Sequence, residues 1–297
     1  IGCSIYLVII INNLIRSIYM KNIFIFIRII FIILLSLLLI YSIYKSYKLN
    51  LEKFSIKKEI SRDEFDCYVI NLKKNTDRLG LINELYNKSD LSSIPYIRVE
   101  AINGKEIDIK PYVTDRVYNG IINIDTTGER HYHTQITRGA IGCYLSHLDV
   151  YNRIKANNKP YGLIIEDDAW FNEDIYKSGI KNILEKIPED WDIILLGKID
   201  LETINKETYL EMRKFWGTHG YLINQAGVSK MLSLANIPIN DQIDAVMGNL
   251  AREGKLHIYA PLEEYISSNT SFNSEVQMAV SEKNGLNPND DPFLINK

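Results

Sequence analysis

Apolar and polar positions follow three regimes along the chain. From Ile23 to Tyr44 nearly every residue is apolar, about 22 in a row, enough to cross a bilayer core as a helix. Tyr47 to Asp66 is polar and rich in lysine, and reads as a stem. From Cys67 onward, short β-rich runs alternate with stretches of helical spacing, until the chain turns polar beyond about Ser274. The predicted strands are Cys67–Leu72, Tyr96–Val99, the run ending at Glu166, Trp191–Gly197, a stretch within Phe215–Ile223, and His257–Pro261. The predicted helices cover Leu79–Tyr86, Thr137–Lys155, Ile175–Ile187, Gln225–Ala235 and Asp241–Arg252. Between Lys105 and Gln135 no period is sustained, so that segment is expected to be a long loop with short elements. His131 and His133 lie in it and read as surface histidines, with a metal or substrate contact as the alternative. No repeat is present.

This order predicts an α/β fold. The expected organisation is an extension over residues 1–22, a membrane anchor over 23–44, a stem over 45–66, a catalytic domain over 67–273 and a flexible tail over 274–297. Met20 is a more natural start than Ile1. A single-pass anchor leaves the side of the membrane open. Lys45, Lys48, Lys53, Lys57 and Lys58 follow the span, which by charge alone puts the body in the cytoplasm. A signal-anchor facing a secretory lumen is the rival.

The net charge of −3 gives no footing for nucleic acid. The three cysteines, Cys3, Cys67 and Cys143, have neither metal-ligand spacing nor a pairing pattern.

Two stretches carry candidate chemistry. Leu163-Ile164-Ile165 stops at Glu166-Asp167-Asp168, three carboxylates at the C-terminal end of a buried strand. Open α/β sheets bind ligands at that end. A divalent cation would relieve the mutual repulsion. A solvated acidic turn is the alternative. The helix from Thr137 carries Gly139, Gly142, Cys143 and Ser146 as a small-residue face, with His147 next. Two helical glycines cost about 1 kcal/mol each relative to alanine and need a reason, such as close backbone approach. Taken singly, His147 reads as a core histidine and Cys143 as a small buried residue. Asp241 suits the start of a helix, so capping and a functional role weigh equally.

Several blocks in order resemble glycosyltransferase family 25. They are Val69-Ile70-Asn71-Leu72 with Asp77-Arg78, Gly139 to His147, Leu163 to Asp168, Trp191 to Gly197, Gly220-Tyr221-Leu222-Ile223 with Ala226-Gly227, and Pro238 to Met247. Ala140 departs from a common Glu, and Asn240 from a usual Val.

The resemblance implies a GT-A-type nucleotide-sugar glycosyltransferase fold, a Rossmann-like mixed sheet flanked by helices. It implies an inverting transfer of galactose or glucose from a UDP-sugar to a glycan or hydroxylysine-type protein acceptor. Glu166 and Asp168, with His219 as a further ligand, would hold Mn²⁺ or Mg²⁺. Asn71, Asp77, Arg78, Ser146, His147 and Asp167 would meet the donor. Asp241, or else Asp244, would be the general base. The alternatives are a nucleotidyltransferase-like enzyme and an inactive, membrane-tethered carbohydrate-binding protein. The first lacks a glycine-rich phosphate loop with a lysine near the first strand.

Overall fold

The structure is a computed structural model that describes residues 35–42, 45, 65–172, 175–235, 237–269, 271, 272, 274 and 276. Residues 35–42 are helical with exposed side chains. No helix among the described residues is long and apolar enough to cross a membrane. The expected anchor over 23–44 falls mostly outside the described residues, as do the extension, most of the stem and most of the tail.

From Phe65 onward the chain is a mixed α/β domain with one central sheet. Strands β1 (Phe65–Asn71), β2 (Tyr96–Glu100), β3 (Tyr161–Glu166), β6 (Tyr209–Asn224), β5 (Ile193–Asn205) and β7 (Ile258–Pro261) form it in the order β2-β1-β3-β6-β5-β7. The β2-β1-β3 part is parallel; β6 runs antiparallel to β3 and β5. β4 (Ala169–Phe171) and β8 (Ile266–Ser268) pair as a separate antiparallel ribbon.

The central strands are apolar on both faces because both faces are covered. Alternation along β1 sends Tyr68 and Ile70 one way, and Cys67 and Val69 the other. The first face packs on helices α2 (Asp115–Thr127), α3 (Arg138–Asn157), α5 (Gln225–Leu234) and α6 (Ile243–Arg252). The second face packs on α1 (Thr76–Lys88) and α4 (Ile175–Lys186).

The segment expected as a long loop contains α2. Val117, Ile121 and Ile124 form its buried stripe. Thr114 caps its start by accepting from the Val117 N–H, and Gly128 ends it in the left-handed region at φ +70°. Its apolar stripe is narrow, and the other positions mix charged and polar residues with Gly120, Tyr118 and an exposed Ile122. That composition hid the period. β5 and β6 are also longer than expected, since they extend past Gly197 as a hairpin arm out to Asn205 and Tyr209. Glu202, Lys206, Glu207 and Lys214 keep this arm polar enough to mask its strand character. β4 and β8, at three residues each, are too short to carry a period.

Candidate active site

Parallel pairing brings the ends of β1, β2 and β3 to one edge, with Ile70 opposite Glu166 and Asn71 opposite Glu100. β6 passes the same edge in the reverse direction. Gly220 lies opposite Ile165, so Thr218 and His219 come alongside the acidic turn that ends β3. Gly217, at φ +86°, makes the bend that this requires, a conformation that favours glycine.

The three carboxylates have separate surroundings. Glu166 accepts a hydrogen bond from His147 Nε2 at 3.0 Å and another from the Thr218 hydroxyl. Burial works to raise its pKa, but His147, His219 and Thr218 outweigh burial and hold the carboxyl to about 2. Asp168 and His219 face each other with Oδ1 and Nδ1 3.8 Å apart. Both atoms are buried and make no hydrogen bond. Burial disfavours the charged His219 ring, yet the carboxylates of Asp168, Glu166 and Glu264 raise its pKa overall. One ligand atom each from Glu166, Asp168 and His219 lies within 4.8 Å of the others. Buried polar atoms without partners are costly. Two carboxylates and an imidazole converging on one point fit a divalent cation. The imidazole tilts the set from Mg²⁺ towards a transition-type ion.

Asp167 turns the other way. Its carboxylate accepts from Asn71 Nδ2 at 2.8 Å, Asn75 Nδ2 at 3.4 Å and Arg78 at 3.0 Å. Asn71 in turn donates to the Asn75 carbonyl and accepts from Arg98 Nε. These bonds clamp β1 and α1 to the turn after β3. Burial raises the Asp167 pKa, only partly offset by Asn71 and Arg78. Asn71 and Asp167, expected at the donor, are thus engaged with each other. Arg78 keeps one side on a cavity wall and stacks over Phe272 at 4.9 Å. Asp77 is exposed on α1 and lines no described cavity.

Helix α3 supplies the backing. A Cβ on Gly142 would sit 2.3 Å from the Ile102 carbonyl oxygen, so the loop after β2 can lie against the helix only at a glycine. Ser146 fastens that loop by accepting from the Ile102 N–H at 2.8 Å. His147 is fully buried. A carboxylate can only accept, so His147 Nε2 carries the proton towards Glu166. Nδ1 then meets the Tyr221 hydroxyl at 2.7 Å, which meets the Tyr151 hydroxyl at 2.7 Å. Ser146 and His147 therefore brace the loop and Glu166, and both also border the smaller of the two cavities at the site.

Two cavities flank the acidic turn, and Cys143, Glu166, Asp168 and Val276 line both. The smaller, about 70 Å³, opens over the ends of β1 and β2 and reaches Arg78, Gly104 and Ser146. It shares Leu72, Ala101, Ile102 and Asn103 with a neighbouring groove that carries Lys73 and Lys74. The larger, about 370 Å³, is walled by β6, the start of α6 and the segment from Arg130 to His133. Ser274 and Val276, placed in the tail by sequence, line this cavity, and Val276 is held by the Thr137 hydroxyl.

Asp244 lines the larger cavity, and Asp241 does not. Asp244 accepts from Gly217 N at 3.0 Å and Ala245 N at 2.8 Å. Burial raises its pKa against those two donors, and the charges of Glu166 and Asp241 act the same way. Asp241 accepts from the Gln242 N–H, just ahead of α6.

A sequence profile described as "Glycosyltransferase family 25 (LPS biosynthesis protein)" matches residues 65–247, the whole span from β1 into α6. The chain belongs to glycosyltransferase family 25. Among curated proteins it is 24% identical over 222 residues to procollagen galactosyltransferase 1 of Danio rerio, covering 71% of this chain and 34% of that protein. It is 28% identical over 206 residues to procollagen galactosyltransferase 1-A of Xenopus laevis, covering 64% and 32%. The chain thus spans about a third of the length of these relatives. A crystal structure of a glycosyltransferase involved in glycosylation of the major capsid of PBCV-1 aligns over 71% of this chain and 94% of its own, at 7% identity and a TM-score of 0.36.

In this family 25 chain, sequence reasoning overlooked Thr218 as a partner of Glu166, and Arg130, Trp216 and Gln242 as cavity walls. Thr218 stands beside His219 between two glycines, which was the available signal. His133, read as a surface residue, lines the larger cavity. Arg130 is 3% exposed and donates to the Gln135 and His133 carbonyls.

Proposed function

We propose that this family 25 chain is a GT-A-type, divalent-metal-dependent transferase that moves galactose or glucose from a UDP-sugar, with inversion, to an acceptor hydroxyl. The observation that carries this reading is the convergence of Glu166, Asp168 and His219, with Asp168 Oδ1 and His219 Nδ1 buried and unpartnered where the two cavities meet. The procollagen galactosyltransferase names of the relatives support the choice of sugar.

Glu166, Asp168 and His219 would hold the cation. When bound, it supplies positive charge and Lewis acidity beside the departing nucleoside diphosphate. The donor's nucleotide takes the side over β1 and β2, where Arg78, paired with Asp167, borders the smaller cavity and Lys73 and Lys74 stand with Glu100 and Glu106 in the adjoining groove. The acceptor enters the larger cavity. Asp244 takes the acceptor hydroxyl proton as that oxygen bonds to the anomeric carbon and the bond to the diphosphate breaks. Its raised pKa suits a base working near neutral pH, and Gly217 N holds it in place. Of the two aspartates weighed as base, Asp244 is the one that lines the cavity.

The test is incubation with a UDP-sugar panel, with and without Mn²⁺, scored by mass spectrometry. Metal-dependent cleavage of UDP-galactose or UDP-glucose, lost in Asp168→Ala, is the expected result. Full turnover in that variant, or in chelator, sinks the metal role.

A further inference from the structure

Neither the ligand cluster nor the base accounts for the far wall of the larger cavity. Ile199 on β5 and Trp216 on β6 pair across the hairpin, and both line that cavity. They remain 52% and 36% exposed. A scattered exposed apolar residue means little. A cross-strand pair on a cavity wall, beside hydrogen-bonding groups, has the composition of a ligand site. The indole is also braced: the His133 ring packs on it with centroids 5.4 Å apart and planes at 45°. His133 is itself held, its carbonyl accepting from Gln242 Nε2 at 3.1 Å and from Arg130. The result is a rigid apolar plate bordered by the Gln242 amide and the Asp244 carboxylate.

That border and plate match a pyranose ring, which has an apolar C–H face and a rim of hydroxyls. A side chain ending in an ammonium group is a poorer match. It could sit on an indole face, and the carboxylates of Glu166, Asp168 and Asp244 share the cavity with Arg130, so charge does not separate the two; shape does, because the paired Ile199 and Trp216 offer a broad apolar surface that a ring face covers and a single ammonium does not. We propose that Trp216 and Ile199 form an acceptor subsite that stacks a hexopyranose, so that the acceptor is a glycan. The word acceptor rests on the transferase reading above; the binding of a sugar ring does not.

The experiment uses the full chain and saturation-transfer NMR with methyl β-D-galactopyranoside, methyl β-D-glucopyranoside and an N-acetylated hydroxylysine amide as separate probes. Tryptophan emission is read in parallel in Trp170→Phe/Trp191→Phe, which leaves Trp216 as the one remaining tryptophan of three. A hexopyranoside should change that emission saturably. Transfer to it should fall about tenfold in Trp216→Ala, the scale of one aromatic contact. Ile199→Ser should lower it as well, and decides the matter if circular dichroism shows Trp216→Ala to be misfolded. Equal transfer in the folded variants, no response to either hexopyranoside, or Trp216-dependent binding of the hydroxylysine probe alone overturns the proposal. UDP-sugar cleavage is measured on the same samples. Sugar binding without cleavage sinks the transferase reading and keeps the subsite; cleavage without sugar binding does the reverse.

Discussion

His147 Nε2 donates to Glu166 Oε1 at 3.0 Å, so a fully buried imidazole orients one of the proposed metal-binding carboxylates. The bond belongs to a chain that continues through Tyr221 to Tyr151. Groups that orient metal ligands from behind ordinarily matter about 10–100-fold in affinity. His147→Gln, which keeps a donor, should weaken Mn²⁺ binding less than His147→Ala, which should weaken it by about that factor. Titration calorimetry of the two variants checks this. Wild-type affinity in His147→Ala would show that Thr218 alone holds Glu166 in place.

Two helical glycines should respond to alanine in opposite directions. Around Gly80 in α1 nothing lies within 4 Å of a new Cβ, so Gly80→Ala should stabilise the fold by about 0.5–1 kcal/mol through helix propensity. At Gly142 the new Cβ meets backbone at 2.3 Å, and the loop after β2 must move. Gly142→Ala should therefore cost about 1–3 kcal/mol. Urea denaturation measures both. A neutral Gly142→Ala would mean that the 102–104 loop is not pressed against α3.

Much of this was legible beforehand. The small-residue face of α3 announced a close approach, and Gly142 against Ile102 is that approach. The run ending at Glu166 placed the carboxylates on the ligand edge, because a strand buried on both faces reads as an unbroken apolar run. Sequence could not divide the labour among Glu166, Asp167 and Asp168. Neighbouring residues share a position along the chain, but their side chains leave it in different directions. Asp167 turns to Asn71 and Arg78, and Asp168 to His219. The same holds for Asp241 and Asp244, three residues apart at the start of α6. The larger cavity's far wall was hidden because its parts, His133 and Trp216, are distant in sequence and sit in a loop and a hairpin arm.

Cys67 offers a pH signature. Burial pushes its thiol from 9.0 up to about 12, with Asp66 adding to the shift and Tyr86 opposing it. The folded state thus keeps the proton longer than the unfolded chain. That contribution is whole below pH 9 and is lost as pH rises towards 12. Between pH 8 and pH 10 the wild type should lose about 1.4 kcal/mol more stability than Cys67→Ala. Denaturant midpoints at the two pH values test it, and parallel slopes in both proteins would count against it. For the same reason Cys67 and Cys143, whose pKa is also raised by burial, should resist iodoacetamide at pH 8 until urea is added.

Asp244 and Asp241 give the sharpest division. Of the two, only Asp244 lines the larger cavity, and only Asp244 is fixed there by the Gly217 N–H, next to Thr218, which bonds Glu166, and His219, one of the three proposed cation ligands. A base that touches the acceptor is worth about 10²–10⁴-fold in rate. Asp244→Asn keeps the shape and, with one amide oxygen, one of the two backbone N–H contacts, so it should lower kcat by that order while leaving Mn²⁺ affinity near wild type. Asp241→Asn removes one charge that helps raise the Asp244 pKa. It should leave kcat within a few-fold and move the acidic limb of the rate profile to lower pH, since Asp244 would then ionise more readily. Steady-state rates from pH 5 to 9 for both variants separate the roles. A dead Asp241→Asn beside an active Asp244→Asn would transfer the base to the residue ahead of α6 and leave Asp244 as the brace that holds Gly217.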